Sequence, residues 1–226
     1  MPNILAIETS YPAASISLKL GKGPTHSEYF ESHRQQNQLL FSPLKKLLAL
    51  IPDGEKIDTI LIGTGPGSYS GSRIAIAAAQ GIAVAHDCPV VGQSSFLATE
   101  TWLAGKPSIA VGDARRGSFF TAEIPTHSLP QEPQLMDREV FDQKVNQAAE
   151  ALFSLDPTMD LSGDQALLQE IASAEQHIAA WLILSEKDKQ TQLNTQPSPV
   201  YLRGPFITKA KAGHPLLRGK VNKKKT

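Results

Sequence analysis

The stretch GTGPGSYSGSRIAIAAAQGIAVA, Gly63 to Ala85, constrains this chain more than any other. It is preceded by KIDTILIG, a compact apolar segment that predicts a buried strand. Three glycines and a proline within five residues predict a tight turn, and the residues after Ser70 predict a long, almost uncharged helix. Strand, turn and helix in that order form a crossover unit, which needs a sheet with helices on it. Such a turn also raises the question of phosphate binding. A Walker A loop requires G-x-x-x-x-G-K-[ST], whose lysine reaches the terminal phosphates. Here five residues separate Gly65 from Gly71, and Ser72 stands where lysine is needed. A dinucleotide fingerprint requires G-x-G-x-x-G. Gly63-Thr64-Gly65 is followed by Ser68, and Gly65-Pro66-Gly67 by Ser70, so neither register fits. The free N–H groups of the helix start would still suit an anion. The loop reads first as structure: Gly65, Gly67 and Gly71 for the turn and close packing, Ser70 as N-cap.

The helix after the turn is apolar on every side. Ile74, Ala77, Ala78, Gly81, Ile82 and Ala85 form one stripe, and Ile76, Ala79, Ala83 and Val84 cover much of the rest. A helix of that kind is covered on more than one side. One side can rest on the sheet. The other needs a second helix, from this chain or from a partner, and Ala78 and Gly81 let its axis approach to about 8 Å. The segment QLLFSPLKKLLALI places Leu40, Leu44, Leu47 and Ile51 at helical spacing, with Lys45 and Lys46 opposite. Ser42 and Pro43 read either as cap and first residue or as a bend in an earlier helix. Together the two helices predict a bundle-like partner interface built on Leu40, Leu44, Leu47, Ile74, Ala77, Ala78, Gly81 and Ala85.

The remaining segments fix the fold class. Asn3–Ser10, Ala14–Leu20 and His26–Phe30 predict three strands in series, with a turn at Gly21–Pro24. Pro89–Gly92 predicts a short parallel strand, Ser95–Leu103 a helix, and Ser108–Ile124 a hairpin turning at Arg115–Gly117. Helices are expected over Arg138–Phe153, Gln165–Ser173 and Glu175–Leu184, a linker over Gln190–Pro199 and a strand over Val200–Leu202. A meander followed by alternating helices and strands predicts an α/β fold with a mixed sheet. That is the order of the ribonuclease H-like core, and a second strand pair after Ala104 predicts two such lobes. The expected organisation is residues 1–104, 105–203, and a basic end at 204–226.

Composition narrows the function classes. The 226 residues are 41% hydrophobic, enough for a core. A single cysteine, Cys88, excludes an internal disulfide, and without a CxxC pair there is no zinc ribbon. The first ten residues lack a basic region before their apolar run, and Ile74–Ala85 is too short to span a bilayer, so a cytoplasmic protein without membrane segments is expected. From Lys189 onward there are nine Lys and Arg and no acid, which leaves thirteen basic against twenty-two acidic residues before it. That tail reads as a solvated end or as a phosphate-contacting arm.

Catalytic constellations are scarce. None of the six histidines stands four residues from another, and none has a metal-site partner at a recognisable spacing. Ser68, Ser70 and Ser72 lack a G-x-S-x-G elbow. Glu8 and Asp113 each end a predicted strand, and such ends can meet at an interlobe cleft, where a carboxylate pair would suit Mg²⁺ through water. No metal site is assigned on this basis.

The segments ILAIETS, GPGSYSGSRIAIAAAQGIA, VGDARRGSFF and PVYLR, in this order and spacing, resemble the bacterial TsaB (YeaZ) family, over residues 3–125 and again at Pro199–Arg203. The resemblance implies two ribonuclease H-like lobes of the actin/Hsp70/sugar-kinase ATPase (ASKHA) type, mixed sheets flanked by helices. It implies a non-catalytic scaffold in the complex that places threonylcarbamoyl on N6 of the adenosine beside the anticodon, in tRNAs reading codons that begin with A. It implies binding to a TsaD-like catalytic subunit through the two helices above, a TsaE-like ATPase as third component, and a homodimer when the partner is absent. ATP and metal would sit on those subunits, and no cofactor is expected here. tRNA would be met through the complex; the basic end, which the family pattern does not require, offers Lys209, Lys211, Arg218, Lys220, Lys223, Lys224 and Lys225 as expected nonspecific tRNA contacts on the ground of its charge. The chain departs from the family at Glu8, where Asp is usual, and at Ser118, where Glu is usual. An ATP-dependent enzyme of the same fold and a protease-like protein are the competing readings.

Overall fold

The computed structural model describes residues 1–31 and 39–203. The order is β1 (Ile4–Glu8), β2 (Ala13–Lys19), β3 (Thr25–Glu31), α1 (Phe41–Leu48), β4 (Thr59–Gly63), α2 (Tyr69–His86) and β5 (Val90–Gln93). A 3₁₀ turn (Ser95–Leu97), α3 (Glu100–Leu103), β6 (Ser108–Asp113), β7 (Ser118–Ile124) and β8 (Gln134–Asp137) come next. The rest is α4 (Arg138–Asn146), β9 (Ala151–Ser154), β10 (Leu167–Gln169), α5 (Ala174–Ile183) and α6 (Glu186–Leu193).

The strands form two five-stranded sheets, β3-β2-β1-β4-β5 and β10-β9-β6-β7-β8. Each is an antiparallel meander whose first strand continues into two parallel strands. The second sheet therefore repeats the topology of the first, giving the two ribonuclease H-like lobes of the ASKHA type.

Every residue of β1 is buried, because both faces of its sheet are covered. Leu5 and Ile7 face α1 and α2, packing with Leu44, Leu47, Ala75 and Ala79. Ile4 and Ala6, in the opposite phase, join the layer between the sheets with Phe96, Trp102, Phe153 and the α5 residues Ala174, Ile178 and Trp181. A smaller cluster of Ile109, Val111, Phe141 and Val145 closes the outer face of the second sheet under α4.

Several sequence expectations need correction. The helix expected over Arg138–Phe153 ends at Asn146, and Ala151–Ser154 is a strand beside β6. Its apolar Leu152 and Phe153 suit either state, and pairing with β6 decides. Gln165–Ser173 contains β10 rather than a helix. Ser95–Leu103 is split in two, because Thr99 is extended and caps a new helix through the Trp102 N–H. α6 occupies the first part of the expected linker. Val200–Leu202 forms no strand, although the Val200 N–H donates to the Thr64 carbonyl at 2.9 Å. Residues 174–193, expected in the second lobe, return to the first sheet: α5 lies across β1, β2 and β4 and α6 against β5.

Candidate functional site

The glycine turn is built for close approach. A Cβ on Gly63 would lie 2.0 Å from Glu8 Oε2, on Gly67 2.4 Å from the Ser10 carbonyl oxygen, and on Gly71 1.9 Å from that of Thr9. Gly65 has φ +88°, a region glycine enters without steric cost. These glycines let the first turn of α2 sit directly on the end of β1. Ser68, not Ser70, is the N-cap: it is extended and its Oγ accepts from the Gly71 N–H at 3.1 Å. Ser70 is already helical and exposed. The structural reading of the loop thus has direct steric grounds.

Beyond the turn, α2 divides cleanly. Ser72, Ala75, Ile76 and Ala79 are buried against the sheet. Tyr69, Arg73, Ala77, Gln80, Gly81, Val84 and Ala85 are exposed, and Ile74 and Ala78 are half-buried at the border. Val84 is 86% exposed, and a Cβ on Gly81 would meet nothing within 4 Å. At 100° per residue Arg73, Ala77 and Val84 fall within about 40° of one another, so the exposed residues form one stripe. Sequence reading placed Ala77, Gly81 and Ala85 on it but left Val84 aside.

The α1 assignment is corrected. Leu40, Leu44 and Leu47 are buried in the chain's own core, where they close the outer face of the first sheet. They cannot also face a partner. The exposed large apolar residues of this region are Leu39, Phe41 and Leu50.

Glu8 does not meet Asp113 as a metal pair. Its side chain is fully buried on the inner face of β1, and both oxygens are engaged. Oε1 accepts from the Ser10 N–H at 2.7 Å and the Ser10 hydroxyl at 2.6 Å. Oε2 accepts from the Ser95 hydroxyl at 2.6 Å and lies 2.9 Å from His177 Nε2. The other ring nitrogen of His177 lies 2.9 Å from Gln93 Oε1. Burial pushes the Glu8 carboxyl up, but the hydrogen bond and charge of His177, with Ser10 and Ser95, outweigh it and hold the carboxyl below its ordinary value. Asp113 instead accepts from the Arg115 N–H at 2.6 Å and pairs with its guanidinium at 3.6 Å. Among the described residues no group of three or more His, Cys, Asp or Glu could hold a metal ion.

A cleft of about 570 Å³ opens between the lobes, lined by Tyr11, Ser68, Asp113, Arg115, Asp156 and Arg203 among others. Tyr11 donates to the Pro66 carbonyl. Burial pushes its hydroxyl far up, as do the charges of Glu8 and Asp156, so it stays protonated. Pro199–Arg203 lines the cleft, with Arg203 donating to the Ser118 hydroxyl and the Tyr201 ring against Tyr69. Lys209, Lys211, Arg218, Lys220 and Lys223–Lys225 lie outside the described residues. No described helix is long and apolar enough to cross a membrane.

The family model of TsaD, tRNA N6-adenosine threonylcarbamoyltransferase, matches residues 31–160. The tRNA threonylcarbamoyladenosine biosynthesis protein TsaB of Escherichia coli is 30% identical over 125 residues, covering 53% of this chain and 54% of that protein. Its Haemophilus influenzae counterpart is 31% identical over 96 residues, covering 42% and 40%. The chain thus spans about half the length of the curated relatives it matches, or less. A Pseudomonas aeruginosa crystal structure described as similar to peptidase YeaZ covers 90% of this chain and 100% of its own, at 25% identity and a TM-score of 0.67.

Proposed function

The chain belongs to the TsaB (YeaZ) family, on a domain of the TsaD type, and from this premise we propose that it serves tRNA threonylcarbamoyladenosine formation as a non-catalytic scaffold. It binds a TsaD-like catalytic subunit, which transfers threonylcarbamoyl to N6 of the adenosine beside the anticodon in tRNAs reading codons that begin with A. A TsaE-like ATPase joins the pair, a homodimer forms without the partner, and ATP and metal reside on the other subunits. The complex works in the cytoplasm and meets tRNA there.

The observation that carries this reading is the exposed face of α2. Ala77, Gly81, Val84 and Ala85 leave a small-residue apolar stripe in solvent, with open space above Gly81. Small residues admit a second helix at the short end of the usual spacing, about 8 Å, where van der Waals contact is densest. The non-catalytic part of the reading rests on Glu8: it is walled in by Ser10, Ser95 and His177 and has no oxygen left for a substrate or ion.

The test is size-exclusion chromatography with light scattering on the chain alone and mixed with the TsaD-like protein of the same organism. Gly81→Arg runs beside it, since an arginine there projects into the open stripe without disturbing the core. A heterodimer that forms with the wild type and is lost with a folded Gly81→Arg is expected. Absence of any complex from a folded wild-type chain would refute the reading.

A further inference from the structure

Resting on the partner reading above, we infer that the docking surface begins at a Tyr69–Arg73–Tyr201 cluster, which meets an acidic side chain at one end of a small-residue helix of the TsaD-like subunit. Three observations lead there. Tyr69 and Tyr201 are 49% and 56% exposed, and their rings stand 5.2 Å apart at 45°. Arg73 lies over the Tyr69 ring at 5.1 Å and donates from Nη1 to the Tyr69 hydroxyl at 2.5 Å. Among the described residues Arg73 makes no ion pair, so most of its five donors face solvent.

The cluster is continuous with the α2 stripe. Arg73 shares a helical face with Ala77 and Val84, and from Arg73 to Val84 the stripe runs about 16 Å, three turns of a facing helix. One end is aromatic and cationic, and the rest is mostly small and apolar, with Gln80 as its polar member. A partner helix that fits carries small residues along that length and a carboxylate where it passes Arg73. Tyrosine and arginine are the residue types that dominate interface energetics, because they offer large, rigid contact area and several donors. The ring contact and the hydrogen bond already restrain Tyr69, Arg73 and Tyr201, so less side-chain freedom is lost on docking. The cluster also gives the Pro199–Arg203 segment a role: it brings Tyr201 to the start of a helix more than a hundred residues earlier.

The experiment measures affinity for the TsaD-like subunit by isothermal calorimetry at two ionic strengths, with full-length wild type, Arg73→Gln, Tyr201→Ala and Gly81→Arg. Melting by circular dichroism checks that each folds. The expected result is at least a tenfold loss for Arg73→Gln and for Tyr201→Ala, with a shallower salt dependence only for Arg73→Gln. If Gly81→Arg abolishes binding while both cluster variants bind like wild type, the inference is wrong and the partner reading stands. If the wild type does not bind, the partner reading fails and takes the inference with it. If the cluster variants lose a labelled single-stranded RNA but keep full affinity for the subunit, the tyrosines are a base-stacking platform and the inference is overturned.

Discussion

Replacing His177 with alanine should destabilise the protein by about 3–5 kcal/mol, the cost of stripping a buried carboxylate of one of its partners and leaving a cavity. The structure explains why the value belongs at that level. Glu8 and His177 are both fully buried, so no water can replace the missing donor on Glu8 Oε2. Gln93 Oε1 is left without the ring nitrogen beside it as well, and the missing imidazole leaves a void beneath α5. For a chain of this size each kcal/mol moves the midpoint by roughly 2–4 °C, so a fall of about 6–20 °C is expected. Glu8→Gln removes the charge and keeps the shape. One oxygen still accepts from Ser10, and the cost should be only about 1–2 kcal/mol. The pH dependence has a definite sign. The Glu8 carboxyl titrates lower in the folded chain than in the unfolded one, so its contribution is complete above the unfolded value, about pH 4.3, and is lost as pH falls through the lower folded value. Wild type and Glu8→Gln should therefore converge in stability in that acid range. Urea unfolding at pH 7 and at successive steps below pH 4 measures both effects, with the buried Trp102 and Trp181 as fluorescent reporters. A His177→Ala variant within about 1 kcal/mol of wild type at pH 7, with an unchanged denaturant slope, would refute the account of the buried pair.

Two glycines of one helix should respond oppositely to alanine. Gly71→Ala places a Cβ at 1.9 Å from the Thr9 carbonyl and should cost at least about 3 kcal/mol by thermal melting, whereas Gly81→Ala meets open space and should stabilise by about 0.5–1 kcal/mol. Among the described residues the buried Thr121 hydroxyl has no hydrogen-bond partner, so Thr121→Val should be neutral or stabilising by up to about 1 kcal/mol in the same assay. Truncation after Arg203 should weaken tRNA binding by the assembled complex and flatten its logarithmic salt dependence, by about 0.7–0.9 for each phosphate that is no longer neutralised. An unchanged slope would dispose of the basic end as a tRNA arm.

The features legible in the sequence were local ones. The apolar run of β1, the alternation of small or apolar with polar residues in β2, the turn at Arg115–Gly117 and the apolar character of α2 all rest on neighbours a few residues apart. The failures share a different cause. Leu152 and Phe153 read as helix because two apolar residues in succession carry no period, and only the ladder to β6 makes them a strand. Glu8 read as a candidate ligand because a carboxylate at a strand end gives no sign of its partner. That partner, His177, is 169 residues away on a helix whose placement depends on both sheets. Ser70 and Ser68 are equally good caps by composition, and the choice is set by where Thr9 and Ser10 force the turn.

The two helices on the outer face of the first sheet show why the division between core and exposed stripe could only be half read. Both carry apolar stripes, so periodicity alone assigns neither to core or partner. Side-chain size separates them. Burying a leucine gives roughly 1.5–3 kcal/mol, and Leu40, Leu44 and Leu47 obtain it against the sheet. An exposed row of leucines would have bound other surfaces indiscriminately. Ala77, Gly81 and Ala85 lose little by remaining in water, since each exposes at most one methyl group. They offer backbone proximity instead, realised only when another helix lies on them. The proposed partner role is served by this division: bulk goes to the core, and the exposed stripe stays small and would gain its energy only on docking. Val84, 86% exposed amid those residues, is the exception that fits, because a single branched side chain on a flat stripe can act as the knob that sets the register of the helix above it.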